Sequence, residues 1–192
     1  MCIRNLLTVA LTTILSVGLD TPWAGDKFER QELAHSYGLG RPATEQEIQA
    51  WNIDVAPTGE GLPPGRGTAK EGAAVFAARC AACHGPTGQE GPMDRLVGGV
   101  GSLASQQPIK TVGSYWPYAT TLYDYVHRAM PFPAPQSLLP NEIYSIVAWV
   151  LYRNGIIAED FVLNAQSLPG ISMPNRHGFL PDPRPDVPGP LP

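Results

Sequence analysis

Five consecutive residues, Cys80-Ala81-Ala82-Cys83-His84, constrain this chain more than anything else in it. Two thiols separated by two residues sit on one helical turn, and a histidine follows at once. This is the spacing by which a haem is held covalently. Each thiol adds to one vinyl group of the porphyrin, and the adjacent imidazole reaches the iron from the proximal side. Cys80 and Cys83 are then the covalent anchors and His84 the proximal iron ligand. A thioredoxin-like dithiol would expect a strand before the motif and a βαβ pattern around it, but the preceding residues read as a helix. A zinc site would need further cysteines or a histidine pair at ligand spacing, and His35, His127 and His177 are scattered.

The second axial ligand decides what such a haem can do. Met93 follows His84 too closely to travel round the porphyrin edge. Met130 lies 46 residues downstream in Ala129-Met130-Pro131-Phe132, where Pro131 stiffens the loop. Met130 is therefore the preferred distal ligand, with Met173 and His127 as alternatives. A methionine opposite a histidine raises the reduction potential and closes the iron to substrates, which suits an electron carrier.

The remaining composition bounds the reading. The chain has 192 residues and a formal charge of −4, with no basic stripe, so nucleic acid is not an expected partner. Cys2 is the only other cysteine, so no disulfide framework is available. With 21 prolines and 20 glycines, much of the chain must be loop. Arg4 followed by an uncharged apolar stretch from Leu6 to Leu19 reads as a signal peptide over residues 1–25, too short for a good membrane span. The expected product is exported and soluble, with no membrane span in the mature chain.

Organisation follows from the punctuation. Residues 26–67 form an N-terminal arm, with a short helix from Thr44 to Trp51 whose Thr44 and Glu47 make a capping box, then a Gly/Pro-rich flexible linker over residues 58–65. The compact domain spans 68–155. Its first helix runs from Thr68 to Cys80, with Glu71 completing another capping box. Residues 85–118 read as loop with one short helical turn. A second helix, Thr121 to Ala129, carries Leu122, Tyr125, Val126 and Ala129 on one face. A third starts at Pro140 and stops at Asn154-Gly155. Gly72 and Phe76 could let the first helix cross closely against Trp149 and Tyr152 of the last. Arg95, Lys110, Tyr115, Trp116 and Tyr118 are candidates to bond the haem propionates. Residues 156–192 form a Pro-rich C-terminal arm, either disordered or laid on another surface.

Helix, CxxCH, long loop, Met-Pro and C-terminal helix together resemble the class I cytochrome c family. That implies an all-α fold around one haem, here with long irregular N- and C-terminal arms. A closer resemblance rests on Tyr37-Gly38-Leu39-Gly40-Arg41-Pro42-Ala43-Thr44, on Gly61-Leu62-Pro63-Pro64-Gly65, on the stretch from Lys110 to Thr121, and on Met173-Pro174-Asn175. These are similar to the cytochrome subunits of sulfane dehydrogenases in the Sox sulfur-oxidation system. The resemblance implies a periplasmic cytochrome that accepts electrons from a molybdenum-cofactor sulfur dehydrogenase subunit, and the single CxxCH makes it a monohaem one. It implies further that the arms wrap that subunit and that another cytochrome c takes the electrons onward. Some members of that family carry two haems, whereas this chain has a single CxxCH. A free periplasmic carrier, the cytochrome of a sulfite dehydrogenase, and a haem enzyme or sensor with an open iron are the alternatives. No residue pattern suggests a substrate-oxidising site, so the chain is not expected to be an enzyme alone.

Overall fold

The computed structural model describes residues 39–181. The expected signal peptide and the outer parts of both arms lie outside the described residues. The chain divides into Met1–Pro42 and Ala43–Pro192. Of the first unit only the exposed, irregular residues 39–42 are described. Every element below belongs to the second.

Helix α1, Glu45–Trp51, is closed at its start by a capping box between Thr44 and Glu47 and buries none of its residues. A two-residue strand β1, Arg66–Gly67, precedes α2, Ala69–Arg79. Thr68 caps α2: its hydroxyl accepts the Glu71 N–H, and the Glu71 carboxylate accepts the Thr68 N–H at 2.8 Å. The one-turn helix α3, Ala81–His84, follows directly, and Gly85 ends it at φ 76°. The single turn foreseen in the long loop is α4, Val112–Tyr115. Its Thr111 and Ser114 exchange backbone and hydroxyl hydrogen bonds, and Thr111 Oγ1 also donates to the Gly98 carbonyl at 2.6 Å. Helices α5, Ala119–Ala129, and α6, Pro140–Arg153, complete the body.

The α2–α6 crossing organises the core. Gly72 lies so close to α6 that a Cβ there would collide with the Ser145 carbonyl. Phe76 stacks on Trp149 with ring centroids 3.7 Å apart. Helix α5 packs its Ala119, Leu122, Tyr123 and Val126 inward, and Tyr123 meets Tyr144 of α6 at 4.6 Å. Tyr125, expected on that face, is exposed instead and meets Trp116 edge-on. The stripe that wins has i, i+3, i+4, i+7 spacing counted from Ala119, the true first residue of the helix.

Two expectations about the flanking segments are corrected. The Gly/Pro-rich stretch at 58–65 is a packed strap rather than a flexible linker. Val55 donates its N–H to buried Asp124 at 2.8 Å, Thr120 Oγ1 donates to the Pro57 carbonyl, and Tyr144 donates to the Pro63 carbonyl. Gly59, Gly61 and Gly65 take positive φ so that the strap can turn against the body. After α6 the chain also returns to the body over its described part, through residue 181. Leu163, Leu168 and Met173 are fully buried, and strand β2, Leu163–Asn164, pairs antiparallel with β1. The strap and the returning tail therefore lock to each other through a short bridge that no alternating pattern announces. Among the described residues, no helix is long and apolar enough to cross a membrane.

Candidate functional site

Cys80 sits at the joint between α2 and α3. Its N–H continues α2 by donating to the Phe76 carbonyl, while its own carbonyl receives the Cys83 and His84 N–H groups. One turn of helix thus presents Cys80, Cys83 and His84 together. The two thiols are free rather than joined in a disulfide, Cys80 half-buried and Cys83 exposed. Burial pushes the Cys80 thiol up to about 11, Arg79 opposing this and Cys83 adding to it. A redox dithiol needs the opposite, a thiolate favoured near neutral pH.

The loop after α3 folds back over this turn. Met93 donates its N–H to the Cys83 carbonyl at 3.0 Å, and Gly91 lies against the same carbonyl with no room for a side chain. Glu90 braces the loop by accepting from the Thr87 hydroxyl and backbone, and those bonds hold its carboxyl below the usual range. The loop then brings the Asp94 carbonyl to His84 Nδ1 at 2.8 Å. A carbonyl only accepts, so Nδ1 carries the proton and Nε2 keeps the lone pair. Such a bond would fix the tautomer and orient the ring of an imidazole that ligates a metal.

The candidate methionines separate by burial. Met130 ends α5, donates its N–H to the Val126 carbonyl, and is half-buried against the core. Met173 is 2% exposed and belongs to the core itself, while Met93 is 60% exposed. His127 Nδ1 and the Tyr123 hydroxyl are buried with no hydrogen-bond partner among the described residues, and nothing in the structure explains the pair. Among the described residues no three His, Cys, Asp or Glu side chains gather as metal ligands. Two free thiols on one turn, an imidazole with its Nδ1 tied back, and half-buried Ala81, Leu96, Trp116 and Met130 beside the core fit a covalently held porphyrin.

Four of the propionate candidates, Lys110, Arg95, Tyr115 and Tyr118, also make contacts within the protein. Lys110 lies over the Tyr115 ring at 4.9 Å, and Arg95 Nε donates to the Gln89 carbonyl at 3.4 Å. Tyr118 is covered by Arg176 at 4.0 Å, and Asn175 Nδ2 donates to the Tyr115 carbonyl at 2.8 Å. The tail thus clamps the aromatic stretch at 115–118. Two contributors were not legible beforehand. The Asp94 carbonyl is backbone and leaves no residue-type signal. Asn154 carries only a helix-stop signal in the sequence, yet its amide oxygen accepts the Gly98 N–H at 2.9 Å and its Nδ2 donates to the Leu96 and Val150 carbonyls, holding the loop to α6.

Residues 67–150 match the family described as cytochrome c oxidase, cbb3-type, subunit III. A solved structure, the sulfane dehydrogenase SoxCD from Paracoccus pantotrophus, contains a chain 47% identical to this one. The match covers 78% of this chain and 74% of that one, with a TM-score of 0.73. No curated protein matches. The chain belongs to the c-type cytochromes, with the class I fold, and its domain is an electron-transfer domain that implies haem c. Within that class it resembles the cytochrome subunit of sulfane dehydrogenase.

Proposed function

We propose that the chain carries one haem, bound covalently through Cys80 and Cys83, with His84 as proximal and Met130 as distal iron ligand. In this reading it is the electron-accepting subunit of a periplasmic, molybdenum-dependent sulfur-compound dehydrogenase of the sulfane dehydrogenase type, and it passes electrons to another cytochrome c. The observation that carries the reading is the 47% identity to a chain of sulfane dehydrogenase over 78% of this sequence.

Burial supports the choice of Met130. A side chain that reaches the iron must face the space a porphyrin fills, so it cannot be enclosed on all sides by protein. Met173 is so enclosed at 2% exposure, and Met130 is not. Bound haem would supply a centre that takes and releases one electron at a time. The chain's own residues do the rest. The two thiols fix the group's position, the Asp94 carbonyl holds His84 in one tautomer, and a Met130 thioether would keep small molecules from the iron. In this reading the sulfur compound is oxidised on the partner, and this chain receives the electrons.

The ligand assignment is tested by Met130→Ala. The variant is expected to lose the sulfur-to-iron band at the red end of the ferric spectrum and to bind carbon monoxide when reduced. A retained band would transfer the role to another residue.

A further inference from the structure

We propose that Arg79 is a positioning residue that latches the loop after Met130 to the helix of the haem motif, and so keeps the Met130 sulfur on the iron. The inference rests on the ligand reading above and adds the group that holds the distal ligand in place. Arg79 is the last residue of α2 and directly precedes Cys80. Its Nη2 donates to Ser137 Oγ at 2.8 Å. Ser137 lies in the stretch that leads from Met130 to α6. One bond therefore joins the segment carrying both thiols and His84 to the segment carrying the proposed sixth ligand.

That stretch has few other holds. Over residues 131–139 Leu138 alone is buried. Ala134 donates its N–H to the Pro131 carbonyl at 2.8 Å, which closes a turn within the loop and ties it to nothing else. At the far end, Leu139 donates its N–H to Glu142 in the first turn of α6. Among the described residues, Arg79 makes the one hydrogen bond from outside that reaches residues 131–137. Gln136, next to Ser137, takes φ 62°, a left-handed conformation uncommon for a residue with a side chain. Such a conformation persists where the surroundings hold it, and the Arg79 bond and buried Leu138 follow it directly. Pro131, Pro133 and Pro135 stiffen the remainder, so a hold at Ser137 is passed back toward Met130. A restrained loop keeps a released sulfur near the place it left and raises its effective concentration there against an incoming ligand. The Arg79–Ser137 bond is exposed, so it adds little to global stability and its effect is local.

The test titrates imidazole into the ferric, haem-loaded full chain and follows loss of the methionine band at the red end of the spectrum. Wild type, Arg79→Leu, Ser137→Ala and the double variant are compared, with urea unfolding of each. Each single variant is expected to need about 3- to 10-fold less imidazole for half displacement. The double variant should show no further shift, since both changes remove one bond. Ser137→Ala keeps the Arg79 charge and so separates the bond from the charge. Wild-type titration of Ser137→Ala would overturn the latch, whatever Arg79→Leu does. A urea midpoint that falls in step with the imidazole shift would make the effect a general loosening and overturn it too. Met130→Ala tells the two readings apart. If that variant keeps the band, the ligand reading fails and takes the latch with it. If it loses the band while both latch variants titrate as wild type, the latch alone fails.

Discussion

Asp124 shows how one side chain ties distant parts of this molecule together. It is buried, accepts the Val55 N–H from the strap, and forms a forked pair with Arg128 one turn along α5, at 2.9 and 2.5 Å. Burial alone would raise its carboxyl, but the Arg128 and Val55 hydrogen bonds and the nearby cations outweigh this and hold it below the ordinary range. The linkage has a definite sign. A carboxyl with a depressed folded-state value contributes stability above about pH 3.9, its unfolded value, and loses it as the pH falls through the folded value. Asp124→Asn is expected to cost about 1–3 kcal/mol at pH 7. The gap to wild type should close as the pH falls below 4, as read by urea unfolding at both pH values. A gap that is constant with pH would mean that the charge plays no part.

At the scale of elements, the crossing of α2 and α6 sets the shape of the body and the direction of the α2–α3 joint that carries the haem motif. Gly72 permits it, because the Ser145 backbone occupies the place of any Cβ. Gly72→Ala should push the helices apart and cost about 2–3 kcal/mol, measured as a fall in the urea midpoint of the haem-loaded protein. No change would mean that the crossing is looser than this packing. Such elements were legible where their signals are local. The Thr44/Glu47 and Thr68/Glu71 capping boxes place two helix starts, and Pro140 with Asn154-Gly155 brackets α6. The face of α5 was not legible, because two apolar stripes share Leu122 and Val126, and only contact with Tyr144 selects Tyr123 over Tyr125. Likewise, glycine and proline at 58–65 signal turns but do not say whether the turns are packed. The proposed haem anchors rest on the CxxCH spacing, which is legible in the sequence. What orients His84 was not, because it is a backbone carbonyl delivered by a loop.

At the scale of the whole molecule, the sequence domain of 68–155 is held from outside itself. Leu163, Leu168 and Met173 fill the core from the tail, and β1 of the strap pairs with β2 of the tail. Each buried apolar side chain of this size contributes roughly 1.5–3 kcal/mol. Three of them rival the roughly 5–15 kcal/mol of a whole domain. A chain ended after Gly155 is therefore expected to melt at least about 10 °C lower than the full protein, or to lose cooperative unfolding, as followed by circular dichroism. A truncated chain as stable as the full one would mean that the tail only rests on the surface.

The most direct test of the account is an oxidised and reduced visible spectrum of the protein isolated from the periplasm, with mass spectrometry of the chain and of whatever elutes with it. The account predicts one covalently bound, low-spin haem with a methionine band, in a fraction that also contains a molybdenum protein. A high-spin spectrum, or a haem that acid and organic solvent extract from the chain, would contradict it.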